Sequence, residues 1–345
     1  METVRFFPPE KALPKARVYP VFLPFQGCPD RCVFCAQELQ TGCHASPVRA
    51  LLRGVEENLL ELLRAKAAPR ELAFYGGTFT RLPWEDQRAA LEMAALFRAR
   101  GLVTRVRAST RPDALSPDAL VRLRDAGLDM LELGVQSFDD NALGLARRGY
   151  GGACARDGCR MVKEAGLELG IQLLPGMPGV TPDVFASDMR RVVEAAPATL
   201  RLYPCLVLAG TELARMWREG AYMPWGVGET APLLADAVLL AWENGIRVIR
   251  IGLAPEEKLD DGGILDGPRH PALGSMVRGQ ALFRYMARHI AVANGAPCEL
   301  FLPRRLQGEF WGHGGSLVAA YAACGLPRSA VHWHHEEWCA LRWGE

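Results

Sequence analysis

Cys28, Cys32 and Cys35 fall within eight residues, separated by three and then two others, and form the densest chemical cluster in this 345-residue chain. Thiolates crowded onto one loop serve one metal centre. They directly follow the apolar run 18–25, which reads as a short buried strand, so the thiols sit at a strand end. A structural zinc site takes four protein ligands, and an electron-transfer iron–sulfur cluster takes four cysteines. A loop offering three leaves one metal corner open, where a further molecule can bind and react. Two readings follow: a three-thiolate iron–sulfur cluster with a vacant vertex, or a zinc loop completed by His44 or Cys43.

The elements that would position such a loop are visible from residue 17 to 252. Apolar, branched runs at 18–25, 71–75, 102–107, 130–135, 168–174, 200–208 and 247–251 predict strands. Amphipathic windows at 47–66, 84–100, 116–126, 139–147, 153–165, 181–195 and 229–244 predict helices. Ser116-Pro117 and Thr181-Pro182 read as N-caps with proline in the first turn. Gly101, Gly127, Gly166 and Gly245 stand just past helix ends. Repeated strand–helix units of this length predict an α/β fold, a parallel sheet with right-handed crossovers. Six or seven units suit a barrel, complete or partial, with function at the C-terminal strand ends.

Hydrophobic residues make up 49% and charged residues 23%, as in a globular chain with a sizeable core. The net charge of +1 gives no chain-wide attraction for nucleic acid, so any such contact has to be local. The N-terminal residues lack an apolar stretch long enough for a signal peptide, and no run approaches a membrane span. Ten cysteines in such a chain read as reduced thiols and metal ligands in a cytoplasmic protein.

The spacing of Cys28, Cys32 and Cys35 resembles the cluster loop of the radical S-adenosylmethionine (SAM) superfamily. The resemblance implies a partial (β/α)6-type TIM barrel, a 4Fe–4S cluster on Cys28, Cys32 and Cys35, and SAM chelating the fourth iron. It further implies reductive cleavage of SAM to a 5′-deoxyadenosyl radical that takes hydrogen from a substrate. Phe34 matches the aromatic residue near the adenine, and Tyr75-Gly76-Gly77-Thr78 the glycine motif at the SAM amino group. Ser109 matches the polar residue facing the methionyl group, while Gln136 and Arg148 match contacts to ribose or carboxylate. Gln172 is implied at the ribose and Leu206 beside the adenine. A Gln capping the next helix and an Arg on a solvated face remain alternatives for Gln136 and Arg148.

More specific phrases resemble the radical SAM domain of the Elongator catalytic subunit over roughly residues 17–255. They include Ser109-Thr-Arg-Pro-Asp113, Gly134-Val-Gln-Ser-Phe-Asp-Asp140 and Gly170-Ile-Gln-Leu-Leu-Pro-Gly-Met-Pro-Gly179. The oxygen-independent coproporphyrinogen oxidases share a weaker version. The Elongator resemblance implies tRNA as substrate and a flavodoxin- or ferredoxin-type reductant as partner. Its acetyltransferase domain is not expected in a tail of this length.

Residues 256–345 are expected to form a small α+β C-terminal extension after a barrel over 1–255, the boundary set by Asp260-Asp261-Gly262-Gly263 and Gly267-Pro268. Residues 269–345 carry eight arginines, five glutamates and six of the seven histidines, with interleaved aromatics. The expected elements are a helix at 272–293, a strand at 298–302, a short helix at 304–310, the loop Gly312-His313-Gly314-Gly315, a helix at 316–324 and a strand at 330–335. Strand, helix, glycine loop, helix, strand is the core order of a KH domain, whose GxxG loop sits against RNA phosphates. The alternative is a glycine hinge between packed helices. His332 and His334, with Cys339 nearby, and the pair Cys154 and Cys159 are weaker metal candidates. Three functions remain open: a radical SAM enzyme on tRNA or other RNA, one on a small molecule such as a tetrapyrrole, and a non-catalytic SAM- and RNA-binding scaffold.

Overall fold

The computed structural model describes residues 2–10, 17–44, 46–253, 262–291 and 297–343. Two compact units divide the chain: residues 15–225 with 253–268, and residues 1–14 with 226–252 and 269–345. The expected boundary at 255/256, with Asp260 and Asp261, lies outside the described residues.

Strand β1, Glu2–Phe6, belongs to the smaller unit. The larger unit runs β2 (Arg17–Phe22), α1 (Gln37–Thr41), α2 (Val48–Arg64), β3 (Arg70–Tyr75), α3 (Trp84–Ala99), β4 (Val103–Thr110), α4 (Pro117–Asp125) and β5 (Met130–Gln136). It continues through α5 (Asp140–Leu145), α6 (Gly152–Glu164), β6 (Glu168–Leu173), α7 (Pro182–Ala195), β7 (Thr199–Leu202), β8 (Val207–Leu208) and α8 (Glu212–Arg218). Each of β2 to β7 pairs in parallel with the next, so the sheet order follows the chain. This is the expected partial (β/α) barrel.

The local signals act as their chemistry dictates. Ser116 Oγ accepts the Ala119 N–H at 3.4 Å and Thr181 Oγ1 the Val184 N–H at 3.3 Å, each with proline in the first turn. The expected strand at 200–208 is two strands instead. Pro204 has no N–H to donate, and the flanking Tyr203 and Cys205 N–H groups turn back to the Leu173 and Pro175 carbonyls at 3.0 and 2.9 Å. Helix α1, directly after the cysteine loop, is too short to show a periodicity and was not expected.

Alternation along the strands sets two unlike faces. Leu72 and Phe74, Val106 and Ala108, Leu131 and Leu133, and Leu169 and Ile171 are buried toward the helical layer. Their neighbours Arg107, Glu132, Gln172 and Arg201 point to the inner face of the barrel, which is therefore polar.

The smaller unit contains α9 (Val227–Glu243), β9 (Arg247–Ile251), α10 (Leu273–Ala291), β11 (Pro297–Pro303), α11 (Gln307–Phe310), α12 (Val318–Ala323), β12 (Val331–His334) and β13 (Cys339–Trp343). Strand β10, Ile264–Asp266, pairs antiparallel with β8 in the larger unit. In the smaller unit a four-stranded sheet has the order β1-β13-β11-β12, with β11 and β12 parallel. Its core stacks Phe310 on Tyr321 at 3.9 Å, beside Leu282, Met286 and Leu300. The expected order from strand to glycine loop to strand is present between β11 and β12. The expected helix 316–324 is shorter, Val318–Ala323, and follows a turn in which Gly314 and Gly315 adopt left-handed φ. Among the described residues no helix is long and apolar enough to cross a membrane.

Candidate active site

The cysteine loop leaves β2 through a tight left-handed turn. Phe25 and Gly27 have φ of 59° and 73°, and the Cys28 N–H reaches the Phe25 carbonyl at 3.0 Å. Its far end is pinned from outside: the Val33 N–H donates to the Ala146 carbonyl at 3.3 Å and Val33 O accepts from the Leu213 N–H at 2.8 Å. The Thr78 N–H donates to Gln26 O at 2.7 Å, seating the loop on the turn after β3. That approach requires glycine. A Cβ on Gly77 would run into the Gln26 carbonyl oxygen and stand 2.7 Å from that of Leu23.

Each thiol has a different neighbour. Cys28 Sγ lies 3.4 Å from the Thr78 hydroxyl. Cys32 Sγ accepts from Arg148 Nη1 at 2.9 Å. Burial, then the neighbouring Cys32 and Cys28, push the Cys35 thiol up to about 12. Among the described residues no three His, Cys, Asp or Glu side chains converge to hold a single ion. Three cysteines capping three corners of a cube do not need to converge. Of the two alternative fourth zinc ligands, His44 is mostly exposed beside Glu38, and Cys43 is half-buried as a free thiol with its N–H on Thr41 Oγ1 at 3.2 Å. The donor set therefore fits an iron–sulfur cluster better than zinc.

Of the other expected site residues, Gly76, Gly77 and Thr78 are brought against the cysteine loop. Ser109 and Gln172 are brought together, Gln172 Nε2 donating to Ser109 Oγ at 3.1 Å. Gln136 holds a left-handed φ of 67° at the end of β5, with its amide nitrogen folded back over Gly134. Phe34 is half-buried on the cysteine loop. Leu206 lies in the β7–β8 turn, packed under Gly267. Arg148 is buried, its guanidinium spent on Cys32, on Gly134 O at 2.6 Å and on the Tyr150 hydroxyl at 2.8 and 3.1 Å.

Several functional groups were not visible in the sequence. Gln37 Oε1 accepts N–H groups from both Phe25, at 2.5 Å, and Gly77, at 2.9 Å. Beneath Ser109 and Gln172 lies a carboxylate, Glu132, only 1% exposed. It binds Arg201 Nε at 2.5 Å, Arg107 Nη1 at 3.3 Å and Gln172 Nε2 at 3.3 Å. Arg201 also reaches the Tyr75 and Tyr203 hydroxyls at 2.5 and 3.1 Å. Burial and then the Glu132 charge raise the Tyr75 phenol well above its ordinary value, so it stays protonated. The inner face thus ends in a floor of paired charges, with Arg107 also meeting Glu71 at 3.2 Å and its Nε left without a partner among the described residues. Asp188, buried under the β5 turn, accepts the Phe138 N–H at 2.7 Å, and burial lifts its carboxyl to about 6.

The weaker metal candidates are not assembled. His332 Nε2 meets Glu299 at 3.1 Å, His334 stacks on Trp338 at 4.0 Å, and Cys339 and Cys159 are buried, while Cys154 is half-buried.

The profile of the radical SAM superfamily matches residues 22–192, and that of the Radical_SAM C-terminal domain matches residues 197–281. A tRNA uridine(34) acetyltransferase of Methanocaldococcus jannaschii is 29% identical over 185 residues, 52% of this chain and 32% of that protein. The enzyme of the same name from Dehalococcoides mccartyi is 35% identical over 130 residues, 37% of this chain and 28% of that protein. The match thus spans about a third of the length of these curated relatives. The solved archaeal Methanocaldococcus infernus Elp3 with an N-terminal deletion superposes with a TM-score of 0.58 at 22% identity, covering 79% of this chain and 63% of that chain. At that identity the likeness speaks for the fold.

Proposed function

The chain belongs to the radical SAM superfamily, and from that premise we propose that it acts on tRNA, with Cys28, Cys32 and Cys35 as the cluster ligands. Enzymes of this family use a 4Fe–4S cluster and SAM. When bound, this pair supplies a carbon radical that abstracts a hydrogen atom from the substrate.

The residues of this chain divide the remaining work. Gly77 and Gly27 let the cysteine loop and the turn after β3 approach closely, and Gln37 locks the two together. Gly76, Thr78, Ser109, Gln136 and Gln172 form the polar rim at the strand ends that receives SAM, and Phe34 and Leu206 provide apolar surface for its adenine. The Glu132–Arg201–Tyr75 floor closes the barrel below and keeps its charges paired, so no loose cation or carboxylate competes for the substrate.

For the substrate, the carrying observation is that the relatives in this match are named for uridine 34 of tRNA. The smaller unit supports the same reading. Its β11–α11–loop–α12–β12 segment has the KH-like order, and Gly312, Gly314 and Gly315 all take left-handed φ. The loop itself carries no Lys or Arg, but Arg328 brings a guanidinium to it: its Nη2 would lie 3.5 Å from a Cβ on Gly315. A flavodoxin- or ferredoxin-type protein is the proposed electron donor. The test is anaerobic reconstitution with and without total tRNA. Stimulation of 5′-deoxyadenosine release by tRNA supports the reading, and stimulation by a tetrapyrrole but not by tRNA replaces it with the small-molecule alternative. SAM binding without cleavage under a strong reductant replaces it with the scaffold.

A further inference from the structure

We infer that Arg148 is a positioning residue for the cluster: a fixed N–H donor to the Cys32 sulfur that raises the reduction potential of the centre. The inference rests on the reading that Cys28, Cys32 and Cys35 hold that centre.

Arg148 is only 5% exposed, and a buried guanidinium needs an anionic or strongly polar partner for every face it presents. No carboxylate pairs with it among the described residues; Asp113, the nearby acid, is held by both Nε and Nη2 of Arg111 at 2.9 Å. Its partners are the Gly134 carbonyl, the Tyr150 hydroxyl and Cys32 Sγ, and of these the sulfur is the one that carries negative charge as a metal ligand. The arrangement is rigid. Tyr150 accepts two N–H groups from Arg148 and donates its own O–H to Gly134 O at 2.9 Å, while Arg111 holds the Arg148 carbonyl.

The three thiols are therefore unequal. Cys28 has a neutral hydroxyl beside it, whereas Cys32 has a full, desolvated positive charge at 2.9 Å. Hydrogen bonds and positive charge at ligand sulfur stabilise the reduced, more negative form of a cluster. In a buried site the effect is weakly screened.

The experiment compares wild type with Arg148→Gln, Arg148→Lys and Tyr150→Phe, each reconstituted anaerobically with iron and sulfide. Iron is counted, the midpoint potential is read by EPR-monitored titration without SAM, and SAM affinity is measured by equilibrium binding. Arg148→Gln is expected to lower the reduced-to-oxidised ratio at a fixed donor potential about tenfold, or about 59 mV for one electron. Its SAM affinity should stay within about twofold of wild type. Arg148→Lys, which keeps the charge, should recover part of the shift. Tyr150→Phe, which only loosens the guanidinium, should give a smaller shift of the same sign, and it decides the matter together with Arg148→Lys if Arg148→Gln takes up no iron. An unchanged potential in loaded variants overturns the inference, and weakened SAM binding at unchanged potential reassigns Arg148 to SAM. A wild type that takes up no cluster defeats the cysteine assignment itself, and this inference with it.

Discussion

The side-chain oxygen of Gln37 accepts the Gly77 N–H at 2.9 Å, binding the first helix after the cysteine loop to the turn after β3. The same oxygen takes the Phe25 N–H, so one amide ties the start of the cysteine loop to the turn after β3. Gln37→Leu would orphan two part-buried N–H groups at a cost of about 1–3 kcal/mol each. The expected result is a chain that folds, measured by circular dichroism, yet retains less iron after desalting than wild type.

Gly77→Ala should be harsher. The residue has a φ of 54° and its added methyl would meet two backbone carbonyls that cannot move aside. A loss of about 2–4 kcal/mol in denaturant unfolding is expected from strain and overpacking together. Gly54→Ala is the control. Gly54 lies inside α2 with nothing within 4 Å of a new Cβ, so alanine there should stabilise by about 0.5–1 kcal/mol.

Removing the charge of Glu132 takes from Arg201 the carboxylate it binds at 2.5 Å, while Arg107 keeps Glu71 at 3.2 Å. Glu132→Gln should cost about 3–5 kcal/mol, because breaking one member of a buried pair strands the other. Adding Arg201→Met to it should recover part of that loss in a double-mutant cycle, and strict additivity would show that the two side chains are not coupled.

The Asp188 carboxyl is lifted to about 6 from 3.8, so the folded chain keeps this proton to higher pH than the unfolded chain. Its contribution to stability is full below 3.8 and lost as pH rises through about 6. Asp188→Asn removes that slope. The stability of the variant relative to wild type should rise by about 2 kcal/mol between pH 4 and 7, read from thermal unfolding across pH. A difference independent of pH would contradict the assignment.

If the glycine loop of the smaller unit contacts RNA phosphates, Arg328→Ala should weaken tRNA binding and reduce the salt dependence of affinity by about one counterion. Gly314→Asp should abolish binding without unfolding, since no atom lies within 4 Å of its new Cβ and aspartate tolerates left-handed φ. Filter binding across a salt series distinguishes the two effects.

What the sequence revealed was local chemistry in order. Three cysteines at fixed spacing, paired glycines after a strand, and capping Ser116 and Thr181 all act over a few residues, where side-chain type is enough. What it hid was contact at a distance. Glu132 reads as one polar residue in the apolar run 130–135, and its partner Arg201 is 69 residues away. Arg148 looked like surface or a SAM contact because Cys32 lies 116 residues before it. Gln37 sits on a five-residue helix too short to carry a pattern. Strands β1 and β13 pair the two ends of the chain, Glu2 against Trp343, a pairing that no window of sequence contains.

The most direct measurement is anaerobic reconstitution of the full chain and of a Cys28→Ala/Cys32→Ala/Cys35→Ala variant, with iron counted and 5′-deoxyadenosine quantified under a strong reductant. The account expects four irons and SAM cleavage for the wild type, and neither for the triple variant. Zinc in place of iron, or a variant that still cleaves SAM, would contradict it.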